Sequence, residues 1–230
     1  EAFLQSISGM KIFAPWGGKS KAGFFLTNDQ MFVVKEVSKR EFKNFITFCS
    51  DYFIYLSENF SKRNKSLLCL IFGAFKIYGL RYIVMENLTY ALGSSPDIKR
   101  YDLKGSELNR LTSPLQKGAV GLDTDFLIER NGDPLWIKTK ELDFWDTLNR
   151  DSRFLAQKNV VDYSLVIMLD SEEKVCAMKI IDYLRSYDFF KNVESKWKTI
   201  RNQEKPTIIS PEEYRERFLN NTRKYFVVSE

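Results

Sequence analysis

The chain has 230 residues, 44% hydrophobic and 28% charged, with a net charge of +5 at neutral pH. That is enough apolar material for a packed core, and the modest positive excess suits an anionic partner such as a phospholipid or a nucleotide. Histidine is absent, which excludes Ser-His-Asp hydrolases, Cys-His proteases, HExxH metalloenzymes and ordinary zinc ligation, and leaves Asp, Glu, Lys or Tyr as any general base.

In chain order, residues 22–26 and 31–37 are rich in aromatic and β-branched residues around the turn-like Thr27-Asn28-Asp29-Gln30, which predicts a β-hairpin. Residues 41–56 space Phe42, Phe45, Ile46, Cys49, Tyr52, Phe53 and Leu56 as one face of an amphipathic helix. Strands are expected over 67–77 and 81–85. The order strand, strand, helix, strand, strand makes a small antiparallel α+β unit. Residues 88–123 read as loops around short elements, Asn131-Gly132-Asp133-Pro134 as a turn and 141–158 as a helix. Residues 164–169 and 175–181 form a second predicted hairpin, and Ser210-Pro211-Glu212-Glu213 opens a capped helix running to Tyr225. The junction between two lobes is expected near Glu86–Leu88. The longest apolar run, Leu67 to Phe75, has nine residues, against about 20 for a spanning helix, and nothing at the start resembles a signal peptide. Cys49, Cys69 and Cys176 show no CxxC spacing and read as reduced core thiols in a reducing compartment.

Several residues carry candidate chemistry. Gly17-Gly18-Lys19-Ser20 resembles the end of a P-loop, but Phe13 stands where that motif needs its first glycine, so the P-loop reading fails; the glycine-rich stretch from Gly17 to Gly23 is either a phosphate-covering turn or an ordinary loop. Lys35 lies in the apolar strand Phe32-Val33-Val34-Lys35; it either points to solvent or reaches ATP phosphates with a helical carboxylate such as Glu41 holding it. Asp162 precedes the first strand of the second hairpin and Asp182 follows its last. Antiparallel pairing brings those ends together, and two close carboxylates call for a shared proton or cation, as in a Mg²⁺–ATP site; two unrelated turn aspartates are the alternative. Lys104 and Arg110 sit in a Gly/Ser-containing loop, solvated or phosphate-binding. Residues 185–205 carry Arg185, Lys191, Lys196, Lys198, Arg201 and Lys205 against Asp188, Glu194 and Glu204, with Phe189, Phe190 and Trp197 interleaved; this suits an anionic membrane interface or an aromatic-packed surface helix.

Asp102-Leu103-Lys104-Gly105-Ser106 matches the DLKGS hallmark of phosphatidylinositol phosphate kinases. Val161-Asp162-Tyr163-Ser164-Leu165 resembles their MDYSLL, Ile180-Ile181-Asp182 their IID, and Pro211 to Phe218 their PxxYxxRF. The motifs occur in family order over roughly residues 17–227. Gly17 to Ser20, Ser38 to Glu41, Ile181 to Arg185, Pro206 to Pro211 and Lys224-Tyr225-Phe226 are similar to the PIKfyve branch, the phosphatidylinositol-3-phosphate 5-kinases. Val161 replaces the usual Met, Lys21 the glycine after GGKS, and Asn192 the second of two lysines in the activation loop.

The resemblance implies a two-lobed α+β lipid-kinase fold with antiparallel sheets in both lobes, distantly protein-kinase-like, as one domain with an N-lobe over about 1–86 and a C-lobe over 87–230. It implies transfer from ATP with Mg²⁺ to the 5-hydroxyl of phosphatidylinositol 3-phosphate, peripherally on endosomal or vacuolar membranes of the cytoplasm. A phosphatidylinositol-4-phosphate 5-kinase and a catalytically inactive lipid-binding module are the alternatives; no RNP-like aromatic strand supports nucleic-acid binding. By motif, Lys35 binds the α/β-phosphates, Asp182 holds Mg²⁺ and Asp162 orients or deprotonates the attacking hydroxyl. Gly18, Lys19, Ser20 and Lys104 complete the phosphate site, with Met85, Glu86, Asn87 and Leu88 around adenine. Lys104, Arg110, Lys191, Glu194 and Lys198 face the lipid substrate, with Glu194 at the position of a specificity glutamate. In Glu194→Ala, loss of 5-hydroxyl phosphorylation or a change in the position phosphorylated is expected, since small misplacements cost about 100-fold. Headgroup analysis of the product measures it; unchanged regiochemistry at an unchanged rate reduces Glu194 to a surface ion pair.

Overall fold

The computed structural model describes residues 1–12, 23–92, 97–112, 118–138, 143–187 and 209–229. A short helix α1 (Ala2–Ser8) leads into strand β1 (Met10–Ile12). Strands β2 (Phe24–Thr27) and β3 (Phe32–Glu36) form the expected first hairpin, followed by helix α2 (Lys39–Ser61) and the strands β4 (Ile71–Ile77) and β5 (Leu80–Glu86). These strands make a five-stranded antiparallel sheet in the order β1-β2-β3-β5-β4. The tight first turn is fixed by Asp29, which accepts from Thr27 Oγ1 and the Met31 amide, leaving Gln30 at a positive φ of 61°.

Helix α2 starts where Ser38 and Glu41 form a reciprocal capping box. It runs 23 residues, longer than the apolar spacing suggested. Its buried line is Phe45, Phe48, Tyr52 and Asn59, while Ile46 and Phe53, expected inside, are exposed. The apolar residues of α2 cover more than one face, and only the stripe turned to the sheets finds a partner.

Beyond β5, strands β6 (Lys99–Leu103) and β7 (Val120–Gly121) precede helix α3 (Asp123–Glu129) and strand β8 (Leu135–Lys138). Helix α4 (Phe144–Gln157) then leads to β9 (Ser164–Leu169) and β10 (Val175–Ile181), the second expected hairpin. The second sheet has the order β10-β9-β6-β7, antiparallel except for the short β6–β7 pair. Helix α5 (Pro211–Tyr225) is capped by Ser210 and Glu213 and runs directly into β11 (Phe226–Ser229), which pairs in parallel with β8. The sheets are therefore mostly rather than wholly antiparallel. α3, β7, β8 and β11 are elements too short for periodicity to reveal.

One hydrophobic core joins both sheets, with Phe45 and Tyr52 of α2, Leu68 and Ile71, Ile180 and Tyr183, and Phe218 of α5 in a single cluster. Residues 67–70, expected to extend β4, lie outside the strand and bond to the second sheet. Cys69 N donates to Ile180 O at 2.8 Å and Ile180 N to Leu67 O at 2.6 Å. Tyr183 donates its hydroxyl to Cys69 O, and Asn44 of α2 donates to Leu184 O at 3.0 Å. Of the three thiols, Cys69 is a core residue, Cys49 is half-buried and Cys176 is exposed on β10, which corrects the expectation of three core thiols.

Fully buried Asp151 of α4 anchors the same segment, accepting from Leu67 N at 2.5 Å, Ser66 Oγ at 3.0 Å and the Tyr55 hydroxyl. Burial pushes its carboxyl above the ordinary value, and the bonds from Tyr55, Leu67 and Ser66 only partly oppose this. A carboxyl raised in the fold holds its proton more tightly there than in the unfolded chain. Its contribution to stability is full below about pH 4 and is lost as pH rises through the folded value. The unfolding free energy of the wild type minus that of Asp151→Asn should therefore fall as pH is raised from about 4 towards neutrality and then level off. Urea midpoints across that range measure it; a difference that grows with pH contradicts the account.

Candidate active site at the end of the β9–β10 hairpin

The pairing of Ser164 with Ile181 closes the second hairpin, so Asp162 and Asp182 leave it at the same end. Both stand in left-handed backbone, at φ 65° and 59°. That conformation costs a non-glycine residue about 1 kcal/mol, and Asp is among the side chains that tolerate it best. Each carboxylate meets a cation delivered from elsewhere in the chain. Lys35 Nζ of β3 lies 2.8 Å from Asp182 Oδ1. Lys104, just past β6, pairs with Asp162 Oδ1, and Arg185 Nη1 lies 2.6 Å from Asp162 Oδ2.

Lys35 is inward rather than solvated: its side chain is 12% exposed, and its ammonium lies 5.6 Å from the centre of the Phe24 ring. The carboxylate that holds it is Asp182. Glu41, the candidate from helical position, instead caps α2 through the Ser38 amide and lies 3.8 Å from Arg185 Nε. Protein atoms crowding Asp182 push its carboxyl up, but Lys35 foremost, with Lys104 and Arg185, more than offsets this and holds it below the usual carboxylate range. Its side chain nevertheless keeps 43% of its surface open, so this charged pair has an accessible side. Arg185 is held above its ordinary value: burial favours its neutral form, but Asp162, then Asp182 and Glu41, outweigh that.

The expected hinge residues gather beside this cluster. The Glu86 side chain accepts from Leu70 N at 2.8 Å and lies 3.0 Å from Lys179 Nζ of β10. Asn87 bonds back to the first hairpin, its amide to Met31 O at 3.1 Å and its side chain to Gln30 O at 2.7 Å. Met85 lies opposite Val33 in the sheet. Leu88 packs with Leu92 and Ile181 against Ile98, Val166 and Met168, an apolar patch on the second sheet.

Arg110 occupies a different place from the phosphate-facing one expected. Its side chain is 14% exposed and grips the Asp102 carboxylate at 2.7 Å and the Asp123 carboxylate at 2.7 Å. Burial favours the neutral guanidinium, yet Asp102 and Asp123 hold its pKa above the ordinary value. Gly18, Lys19, Ser20, Lys191, Glu194 and Lys198 lie outside the described residues, as does most of the basic segment 185–205. Sequence reasoning missed Asp123, the first of two acidic residues in the first turn of α3, and Arg185 as a partner of Asp162; nothing in local spacing marks either.

A family model for phosphatidylinositol-4-phosphate 5-kinase matches residues 13–174 and 168–225. The chain belongs to this family. Within it, the chain is 33% identical to a 1-phosphatidylinositol-3-phosphate 5-kinase of Arabidopsis thaliana, over 98% of this chain and 13% of that protein. It is 32% identical to the human 1-phosphatidylinositol 3-phosphate 5-kinase, over 99% of this chain and 12% of that protein. The yeast enzyme of the same name is 31% identical, over 99% of this chain and 11% of its own length. The chain thus spans only 11–13% of the length of these three relatives.

The family hallmark 102–106 is under steric constraint from α5. Gly105 has a φ of 64°, and a Cβ there would meet the Phe218 Cα at 2.9 Å and the Arg217 and Phe218 carbonyls at 3.2 Å. Those obstacles are backbone and cannot swing away. Gly105→Ala is expected to cost about 2 kcal/mol or more, from positive φ and overlap together. Chemical denaturation checks it; a variant as stable as the wild type contradicts the close approach of α5.

Proposed function

We propose that this domain is an ATP-dependent lipid kinase that phosphorylates the 5-hydroxyl of phosphatidylinositol 3-phosphate. The observation that carries the reading is the pair of cation-held carboxylates, Lys35–Asp182 and Lys104–Asp162, at one end of a hairpin. Phosphoryl transfer needs positioning and charge neutralisation more than covalent chemistry from the protein. A lysine paired with a partly open aspartate, a second aspartate beside it and an arginine touching that aspartate supply those parts. The names of the relatives, 1-phosphatidylinositol 3-phosphate 5-kinases, support the substrate.

In this reading, residues 1–86 and 87–230 act as two lobes, and Met85 to Leu88 and the apolar patch around Ile98 and Val166 receive adenine. Lys35 takes the α/β-phosphates, and Gly18, Lys19 and Ser20 cover them. Asp162 accepts the hydroxyl proton or aligns the hydroxyl, and Lys104 and Arg185 neutralise charge near it. Mg²⁺ is bound in nucleotide sites through one or two carboxylates plus substrate phosphates. Asp182 fits that donor role, because Lys35 occupies one oxygen while the carboxylate keeps its open side. When bound, the ion supplies neutralisation of the β- and γ-phosphates. Glu194, Lys191 and Lys198 face the headgroup at a membrane surface. Among the described residues no helix is long and apolar enough to cross a membrane, and we place the domain peripherally on endosomal or vacuolar membranes. The description of the matching family model favours one second reading, phosphorylation of phosphatidylinositol 4-phosphate.

Vesicles containing each phosphatidylinositol monophosphate, assayed with regiochemical analysis of the product, test the proposal. Phosphatidylinositol 3-phosphate is expected to give the 3,5-bisphosphate fastest; a faster 4-phosphate reaction selects the second reading, and no turnover with any of them refutes both. Asp182→Asn should abolish turnover through lost metal binding. Asp162→Asn should lower kcat while leaving nucleotide affinity nearly intact; a folded Asp162→Asn protein working at the wild-type rate removes the role given to Asp162.

A further inference from the structure

Lys104 reaches Asp162 from a loop whose backbone is held by a residue outside the proposed chemistry. Asp123 opens α3 and is fully buried. Its Oδ1 accepts from the amides of Lys104 at 3.0 Å, Gly105 at 2.8 Å and Ser106 at 3.2 Å. Three successive N–H groups thus curl around one carboxylate oxygen, the concave arrangement that backbone adopts around anions. The Tyr225 hydroxyl adds a fourth donor at 3.0 Å, and Arg110 Nε reaches Oδ2 at 2.7 Å. A buried carboxylate is costly unless it is paired and hydrogen-bonded, and here it is both.

The other side of the loop is held by the terminal helix. Asn221 Nδ2 of α5 donates to Gly105 O at 2.8 Å, and Gly105 has no room for a side chain against Phe218. Helix α5 also holds the loop that carries Asp162, because Tyr214 donates its hydroxyl to Tyr163 O and packs with Phe218 against the Tyr163 ring. Both residues of the Lys104–Asp162 pair are therefore referenced to one helix. Asp123 is the link that fixes the peptide from which the Lys104 side chain departs.

We propose that Asp123 is the positioning residue of Lys104: braced by Arg110 and by Tyr225 of α5, it sets the angle at which Lys104 leaves its loop and so delivers the ammonium to Asp162. Asp123 is buried and touches no substrate. It acts at the hydroxyl-activating carboxylate and not at the Lys35–Asp182 side, where the nucleotide is placed. The inference rests on the lipid-kinase reading only for its kinetic consequence.

The test compares wild type, Asp123→Asn, Tyr225→Phe, Lys104→Ala and the double variants of each with Lys104→Ala. Hydrogen bonds to a charged group are the strong ones, so Asp123→Asn is expected to lower kcat about tenfold or more and Tyr225→Phe about threefold, with the KM for ATP within about twofold. In the Lys104→Ala background neither change should lower kcat further, because the residue being positioned is gone. A second readout needs no turnover. Limited acetylation with acetic anhydride, quantified by mass spectrometry with exposed Lys62 as internal reference, should show Lys104 reacting severalfold faster in Asp123→Asn and Tyr225→Phe than in wild type. Should the wild type phosphorylate no phosphoinositide, the functional reading falls and the labelling still decides the positioning claim. If Asp123→Asn does not fold, Tyr225→Phe carries both readouts. Losses that multiply with Lys104→Ala, or unchanged Lys104 labelling in a folded variant, overturn the proposal and leave Asp123 as a packing residue only.

Discussion

Two aspartates at one end of a hairpin repel each other and must be compensated if both are ionised. Here Lys35 of the first sheet takes Asp182, while Lys104 and Arg185 take Asp162. The compensation crosses the molecule, since Lys35 and Asp182 are 147 residues apart in sequence. Everything that fixes the relative placement of β3, the loop after β6 and the β9–β10 hairpin is thus part of the site. The left-handed backbone at both aspartates points the same way: the surrounding packing holds conformations that carry a local cost.

Two pieces of scaffold fix that placement. Residues 67–70 hang between the sheets, with Leu68 bridged to Ile180 on one side and Glu86 bonded to Leu70 on the other. Asp151 of α4 and Tyr183, just past β10, bond this segment, and Asn44 of α2 bonds the neighbouring Leu184. The second piece is α5, which lies against both family loops and feeds β11 into its pairing with β8. The aromatic residues of α5 are thereby explained by physical contact: Tyr214 and Phe218 pack on Tyr163, and Tyr225 bonds Asp123.

The sequence showed the parts of this architecture that rest on local pattern. The apolar runs 164–169 and 175–181, either side of Asp170-Ser171-Glu172-Glu173, mark β9 and β10 to the residue, and with them the convergence of Asp162 and Asp182. The Ser-Pro-Glu-Glu start of α5 follows from side-chain chemistry within one turn. What stayed hidden depends on tertiary contact. Residues 67–70 are apolar enough to extend β4, and only the second sheet's claim on their backbone groups pulls them away. Arg110 looks like a free cation in a polar loop until Asp102 and Asp123 are brought to it from either side. Lys35 looks solvated until Asp182 arrives from the far end of the chain, and Glu41, at a reasonable helical position, is already committed to its own cap. Asp123 is the extreme case, since an acid in the first turn of a helix is ordinary and its five donors come from three other segments.

The central claim is that the cation–carboxylate cluster at the end of β9–β10 is where nucleotide phosphates bind. Its most direct test is affinity labelling with a reactive acyl phosphate of ATP, which acylates lysines that lie against the bound phosphates, with the modified residues mapped by mass spectrometry. The account predicts that Lys35 is a principal site of labelling and that excess Mg²⁺–ATP suppresses its modification while exposed Lys62 and Lys174 are unaffected. Labelling of Lys35 that is indifferent to Mg²⁺–ATP, in protein shown to be folded, would contradict it.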